Sequence, residues 1–234
     1  MKRKLFAALL ILAIGILVVG CEDDDEFEVT NTKVGGWELN VDVEDSNLPD
    51  DAEDIFEKTV KTSEDIKLEP ISLLATQVVS GTNYMFFAKG VKDKTMGYYV
   101  VVIYKDLKGN TEISKLTEFD LLKYVNKDIP NDTESGNLMG GWTIHKENDD
   151  SPLEDDAEDV FNEVTKGLLG VKYTPLELLA TQVVSGRNYA ILTISETVTE
   201  NPVTSIDVLT IYKDTQNSVS LQSVAYVDLK EFNK

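Results

Sequence analysis

The side chains best suited to covalent chemistry are scarce in this chain. Its 234 residues include one cysteine, Cys21, and one histidine, His145. A single thiol excludes an intrachain disulfide, and the four cysteine or histidine ligands of a structural zinc site are not available. A Ser-His-Asp or Cys-His hydrolase would have to use His145, because no other histidine is present. The composition therefore predicts a protein that is not an enzyme and holds no metal or cofactor.

The charge balance argues against a further class of partner. The chain has 22 Lys and Arg residues against 42 Asp and Glu residues, a formal net charge of −20. A surface this acidic repels phosphates, so we expect no nucleic-acid partner. The length allows one or two domains, and a hydrophobic content of 42% is sufficient for packed cores.

The N-terminus has the pattern of a targeting segment. Basic residues at positions 2–4 precede an apolar run over residues 5–19, which is shorter than the ~20 residues that span a bilayer. The run ends at Gly20-Cys21 and resembles the lipobox of prokaryotic lipoproteins, in which cleavage precedes a lipidated cysteine. The resemblance implies an extracytoplasmic protein anchored to the cell envelope membrane through Cys21. A plain secretory peptide and a buried N-terminal helix are the alternatives.

The rest of the chain is an internal repeat. Gly-Gly-Trp at 35–37 returns at 140–142, an offset of 105 (140 − 35), and LLATQVVSG at 73–81 returns unchanged at 178–186. Beyond this point the offset is 108 (211 − 103), which places three extra residues around 197–204, where a hairpin loop can hold them. We predict five segments: a signal peptide (1–20), an acidic tether (21–34), a first domain (35–125), a linker (126–139) and a second domain (140–234).

Each repeat has the pattern of one helix followed by about four antiparallel strands. Asp50 or Asp51 is expected to cap the helix, whose apolar positions fall on a single face. These positions are Ala52, Ile55, Phe56 and Thr59, and in the second repeat Ala157, Val160, Phe161 and Val164. The pattern predicts an α+β fold in which two tandem domains each wrap an antiparallel sheet around one α-helix.

QVVSG occupies a predicted hairpin tip in each repeat, at 77–81 and at 182–186. Turns usually carry polar residues, so valines at a tip suggest a surface that binds a partner. The motif and its flanks, TQVVSGTNY at 76–84, resemble the Gln-x-Val-x-Gly loop of the cystatins and particularly its stefin branch. A Gly-Gly-hydrophobic segment, a helix, the loop and C-terminal strands follow in the family order, over nearly all of 35–124 and 140–232.

The resemblance implies an inhibitor of papain-like cysteine proteases that fills the active-site cleft without offering a scissile bond. The protease-binding residues that it implies belong to an N-terminal trunk, to the QVVSG loop and to a second hairpin. In the first repeat they are Val34, Gly35, Gly36, Gln77, Val78, Val79, Ser80, Gly81 and Leu107. In the second they are Met139, Gly140, Gly141, Gln182, Val183, Val184, Ser185 and Gly186.

The two repeats differ at the implied site. The second hairpin of the first repeat carries Leu107, close to the Leu-Pro loop of stefins, whereas residues 214–218 of the second repeat have no apolar tip. Arg187 also stands where the first repeat has Thr82. We therefore expect the second repeat to bind more weakly or to prefer another protease.

Two other functions remain open from the sequence. One is a non-inhibitory cell-surface module that binds another protein on a cystatin-like scaffold. The other, which the sequence supports least, is an enzyme that uses carboxylate pairs such as Asp50 and Glu53. Trp37 and Trp142 are expected in the core, and His145 is expected to be solvated.

Overall fold

A computed structural model describes residues 33–34, 36–41, 48–61, 65–125, 138–139, 141–145 and 153–233. The elements of the first repeat are β1 (Lys33–Val34), β2 (Trp37–Leu39), α1 (Asp50–Val60), β3 (Lys67–Val79), β4 (Gly81–Lys92), β5 (Thr95–Asp106) and β6 (Thr111–Phe119). Those of the second are β7 (Leu138–Met139), β8 (Trp142–Ile144), α2 (Asp155–Lys166), β9 (Val171–Val184), β10 (Gly186–Thr197), β11 (Thr204–Asp214) and β12 (Val219–Tyr226). A short 3-10 helix follows each last long strand, at Leu121–Lys123 and Leu229–Asn233.

The strands of each repeat form an antiparallel meander in chain order. β1 to β6 make one six-stranded sheet and β7 to β12 make the other, with β6 and β12 at equivalent edges. The three extra residues of the second repeat lie in the connection between β10 and β11, as the changed offset predicts.

Both helices bury the predicted apolar stripe, although α1 begins differently from the prediction. Ala52, Ile55, Phe56 and Thr59 are buried, as are the corresponding residues of α2. The expectation that Asp50 or Asp51 caps α1 is wrong, because Pro49 occupies the cap position and no side chain caps the helix. Both aspartates lie in the first turn instead, where their charge is favourable at the positive end of the helix dipole.

Alternate residues of the central strands belong to two different cores. Phe86 and Val101 pack with α1, whereas their neighbours Phe87 and Val100 belong to a cluster on the opposite face of the sheet. That second cluster also contains residues of the other repeat, among them Leu179, Leu192 and Val208. The two sheets therefore share one apolar core, and each helix covers the outer face of its own sheet.

The expected fold class, α+β with a sheet wrapped around one helix in each domain, is wrong. The described residues are mostly antiparallel β-structure, with only two α-helices, one for each sheet. The physical reason is that each sheet has two apolar faces and a single helix, of 11 or 12 residues, can cover only one of them. The second sheet covers that face. The boundaries at 126–139 stay a prediction, because residues 126–137 are not described.

None of the described helices has the length and apolar character that crossing a membrane requires. The predicted signal segment, the tether up to residue 32 and Cys21 lie outside the described residues.

Candidate protein-binding edge

The QVVSG motif forms the turn of a long hairpin in each repeat. Val79 of β3 pairs with Gly81 of β4, so that Ser80 alone forms the tip. The side chain of Val78 is 83% exposed and that of Val79 is 46% exposed. The hairpin of the second repeat presents Val183 and Val184 in the same way, at 78% and 45%. Each repeat thus presents a pair of adjacent valines to solvent at one end of its sheet.

Glycine is required at the end of the motif because the neighbouring strand passes very close. Gly81 has φ +149°, and a Cβ atom there would lie 2.3 Å from the main-chain oxygen of Lys105. Gly186 repeats this arrangement, with 2.2 Å to the oxygen of Lys213. A side chain at either position would force β4 away from β5, or β10 away from β11.

A tyrosine hydroxyl holds each tip. The hydroxyl of Tyr104 donates to the carbonyl oxygen of Ser80 at 2.7 Å, and that of Tyr212 donates to Ser185 at 2.5 Å. Sequence reasoning missed both tyrosines. The signal was present, since the tetrapeptide Ile-Tyr-Lys-Asp is repeated at 103–106 and 211–214.

The glutamine of the motif lies beside the glycine trunk. Gln77 Oε1 accepts a hydrogen bond of 2.9 Å from Asn83 Nδ2, and a Cβ at Gly36 would lie 3.3 Å from Gln77 Nε2. In the second repeat Gln182 has the same partner, Asn188, at 2.6 Å. The structure therefore brings together the trunk glycine and the loop, which are separated by about forty residues in sequence. The asparagines were not predicted.

The turn between β5 and β6 is the third part of the edge. Asp106 pairs with Gly81, which places this turn next to the hairpin tip, and Leu107 is 87% exposed. Asp106 Oδ1 accepts backbone hydrogen bonds from Lys108 and Asn110, both at 2.8 Å. Hydrogen bonds from the Asn110 side chain and then from its backbone hold the pKa of Asp106 below its ordinary value. The turn that carries Leu107 is consequently well ordered by its own bonds.

The equivalent turn of the second repeat keeps the aspartate and loses the apolar tip. Asp214 Oδ1 accepts from the backbone of Gln216 at 2.7 Å and of Ser218 at 2.8 Å. The backbone bond from Ser218 is the main cause that lowers the pKa of Asp214. Thr215 stands in the position of Leu107, so the second edge offers less apolar surface.

Arg187 is a basic side chain of the second edge where the first repeat has Thr82, whereas Lys213 corresponds to Lys105. Arg187 pairs across the hairpin with the exposed Val183, and Lys213 Nζ lies 2.6 Å from Asp156 Oδ1. The hydrogen bond from Lys213 is the largest cause of the lowered pKa of Asp156, which also accepts from the Tyr189 hydroxyl. Burial first, and then this bond to Asp156, raises the pKa of Tyr189 to about 12.

The remaining predicted residues are only partly described. Val34 and Met139 lie on β1 and β7, whereas Gly35 and Gly140 lie outside the described residues. Gly141 lies near Gln182, since a Cβ atom added at Gly141 would be 3.5 Å from Gln182 Nε2.

Both tryptophans are buried to 1% exposure, which confirms their expected place in the core. The expected solvation of His145 is wrong, since its side chain is 13% exposed and its Nδ1 lies 2.8 Å from Glu154 Oε1.

Comparison of the chain with models of known protein families gives no match, and comparison with curated protein sequences gives none either.

Proposed function

We propose that this chain inhibits papain-like cysteine proteases by inserting the edges that carry its QVVSG hairpins into the active-site cleft. The observation that carries the proposal is the pair of exposed valines, Val78 and Val79, on a turn that hydrogen bonds and close packing keep in one shape. An apolar projection that is ordered before binding loses little conformational entropy when it binds.

The hairpin is a poor substrate for the same reasons. A protease cleft binds its substrate in an extended conformation, and an extended segment at the tip would break the bond from Tyr104 to the carbonyl of Ser80. It would also separate Gly81 from Asp106 on the next strand. Residues of the tip can therefore contact the cleft while the peptide bonds stay in a turn that resists cleavage.

The first edge is the stronger of the two in this proposal. Leu107 adds an exposed apolar side chain beside the tip, whereas Thr215 and Arg187 make the second edge more polar. Full burial of a leucine contributes roughly 1.5–3 kcal/mol to binding. On this basis the first repeat binds a papain-like enzyme about tenfold or more tightly than the second.

A lipid on Cys21 would hold both edges at the outer face of the membrane, in line with the signal-like segment before it. Cell fractionation tests this part, since Cys21→Ser should move the protein from the membrane fraction to the soluble fraction. Retention in the membrane fraction would contradict the anchor and leave the inhibition untested, so the two parts stand separately.

Titration of papain tests the inhibition. The chain from residue 21 onward with Cys21→Ser includes every described residue, and we expect it to block two proteases per chain. Val78→Asp should abolish binding at the first edge and Val183→Asp should abolish it at the second, so that each variant blocks one protease per chain. The double variant should not inhibit papain. These valines are 83% and 78% exposed, so the charges should leave the fold intact, which circular dichroism checks.

Val198→Asp is the matched control, because Val198 is 69% exposed but lies away from the motif, between β10 and β11. Its inhibition should equal that of the unchanged chain. Papain activity that persists at micromolar excess of the unchanged chain would reject the proposal and favour the non-inhibitory binding module.

A further inference from the structure

The last strand of each sheet has one neighbour, and the two edge strands differ sharply in charge. β6 and β12 each end their sheet, so no described strand pairs with the outer side of either. β6 has the sequence TEISKLTEF and β12 has VSLQSVAY. At the offset of 108, the three charged positions of β6 (Glu112, Lys115 and Glu118) correspond to Ser220, Ser223 and Tyr226 of β12.

Four side chains of β12 are exposed and uncharged: Ser220, Gln222, Val224 and Tyr226. Val224 is 45% exposed and Tyr226 is 54% exposed, whereas Glu118 stands at the position of Tyr226 in the first repeat. Unpaired strand edges are templates for further pairing, and folded proteins commonly protect them with charged side chains. β6 has this protection and β12 lacks it.

We propose that β12 is a homodimer interface, in which it pairs in antiparallel fashion with β12 of a second copy of this chain. The charges of the two strands favour self-pairing of β12 over self-pairing of β6. In an antiparallel self-pairing about its centre, β6 would place Lys115 opposite Lys115 and Glu112 opposite Glu118, and like charges directly opposite each other are destabilising. β12 contains no charged residue, so the same pairing of β12 meets no such repulsion.

The symmetry of the pairing limits the assembly to two copies. A two-fold interface uses the same surface of both partners and leaves no further copy of that surface free. Eight residues at about 3.4 Å each give a contact about 27 Å long. The two sheets that end in β12 would join into one continuous sheet of twelve strands, six from each copy.

The net charge of −20 opposes this association from elsewhere on the surface. Salt screens that repulsion, with a Debye length of about 10 Å at 0.1 M and 3 Å at 1 M, but leaves main-chain hydrogen bonds in place. The proposed dimer should therefore become tighter as the salt concentration rises, the opposite of an interface that depends on ion pairs.

Sedimentation of the chain from residue 21 onward, with Cys21→Ser, tests the proposal at several salt concentrations. We expect a monomer–dimer equilibrium that shifts toward dimer with salt. Val224→Lys should weaken the dimer by about tenfold or more, because it places a charge on the pairing edge. Leu116→Lys is the matched control: it occupies the corresponding position of β6, is 39% exposed, and should leave the dimer unchanged.

A cysteine pair gives a second readout that does not depend on tolerance of a lysine. With Cys21 replaced, Ser223→Cys introduces the only thiol. Ser223 corresponds to Lys115, the residue of β6 that would face its own copy in the pairing described above. Facing residues of antiparallel strands have Cα atoms about 4.5–5.5 Å apart, within the reach of a disulfide. Oxidation should cross-link this variant, and the matched variant Lys115→Cys on β6 should remain monomeric on a denaturing gel.

A monomer at every protein and salt concentration would overturn the proposal. So would a dimer that Leu116→Lys disrupts as strongly as Val224→Lys, or cross-linking of Lys115→Cys that equals cross-linking of Ser223→Cys. Because no protease is present in these measurements, their outcome is independent of the proposed inhibition.

Discussion

Lys89 of β4 and Glu177 of β9 form an ion pair between the two sheets, with 3.3 Å between Nζ and Oε1. The side chains are 3% and 12% exposed, so the pair is almost entirely withdrawn from water. Burial raises the pKa of Glu177 from 4.5 to about 7, against the opposing effect of Lys89. Burial, and then the charge of Glu177, also raises the pKa of Tyr98, whose hydroxyl crosses the same interface.

The raised pKa of Glu177 predicts a specific pH dependence of stability. Below pH 4.5 the carboxyl is protonated in both the folded and the unfolded chain. Between pH 4.5 and 7 the unfolded chain ionises while the folded chain keeps its proton, so this group lowers the free energy of unfolding as the pH rises. A shift of this size corresponds to roughly 3 kcal/mol. Above pH 7 its contribution becomes constant.

Glu177→Gln removes that titration, and urea unfolding at pH 4.5, 5.5, 6.5 and 7.5 measures the effect. The free energy of unfolding of Glu177→Gln minus that of the unchanged chain should rise across this range by up to roughly 3 kcal/mol. Glu57→Gln, on the exposed pair with Lys61, is the control and should give a flat difference. A flat difference for Glu177→Gln as well would contradict the raised pKa of Glu177.

The hydroxyl of Tyr98 forms a hydrogen bond between the two sheets, and its removal tests how much that bond contributes to the free energy of unfolding. This hydroxyl donates to the carbonyl oxygen of Leu179 at 2.8 Å, and the Tyr98 side chain is 1% exposed. Tyr98→Phe leaves that buried carbonyl without this donor and should lower the free energy of unfolding by about 1–2 kcal/mol.

Tyr104→Phe is the comparison for Tyr98→Phe, because its bond to Ser80 is exposed and water can replace the hydroxyl. Tyr104→Phe should lower the free energy of unfolding by less than Tyr98→Phe does, although the hairpin tip at Ser80 should become more mobile. Equal losses in the two variants would show that the buried hydrogen bond between the sheets stabilises the fold no more than the exposed bond at the tip.

Local patterns in the sequence predicted the parts of the structure that depend on neighbouring residues. The buried stripes of both helices, including Ile55 and Phe56, follow from helical periodicity, and the hairpin around Ser80 follows from the turn residues. The contact of Gly36 with Gln77 and the bond from Tyr104 depend on pairing across the sheet. No local pattern specifies which side chains such pairing brings together.

The shared core was missed although one segment indicated it. Residues 98–104 are apolar at every position, and such continuous runs are typical of strands that are buried on both faces. A sheet with one face on a helix and one in water would alternate between apolar and polar residues. The run shows that a second cover exists, but only the folded chain identifies the cover as the other repeat.

The close approach of β5 to Gly81 predicts that no side chain is tolerated at this position of the motif. Gly81→Ala places a Cβ 2.3 Å from the oxygen of Lys105 at a φ of +149°, so β4 or β5 must shift. We expect a loss of about 1–3 kcal/mol in unfolding free energy and a weaker inhibitor. Gly109→Ala is the control: its φ is +86° but nothing lies within 4 Å of the added Cβ. The two variants share the cost of an unfavourable φ, so only the contact with β5 distinguishes them, and equal losses would contradict the close approach.

The turn residues Leu107 and Thr215 predict how the two edges differ in affinity. They occupy corresponding positions after Asp106 and Asp214, and Leu107 is 87% exposed. Leu107→Thr should weaken the first edge by about tenfold, since apolar area that a protease would bury is lost. Thr215→Leu should strengthen the second edge by a similar factor.

Each exchange is best measured with the other edge silenced. Leu107→Thr is combined with Val183→Asp, and Thr215→Leu with Val78→Asp, so that one inhibition constant for papain describes one edge. The aspartates that order both turns are unchanged, so the stability of the chain should stay the same. If Leu107→Thr lowers affinity while Thr215→Leu has no effect, Arg187 rather than the turn limits the second edge, and Arg187→Thr should then restore binding. If neither exchange changes the constants, the β5–β6 turn does not contact the protease.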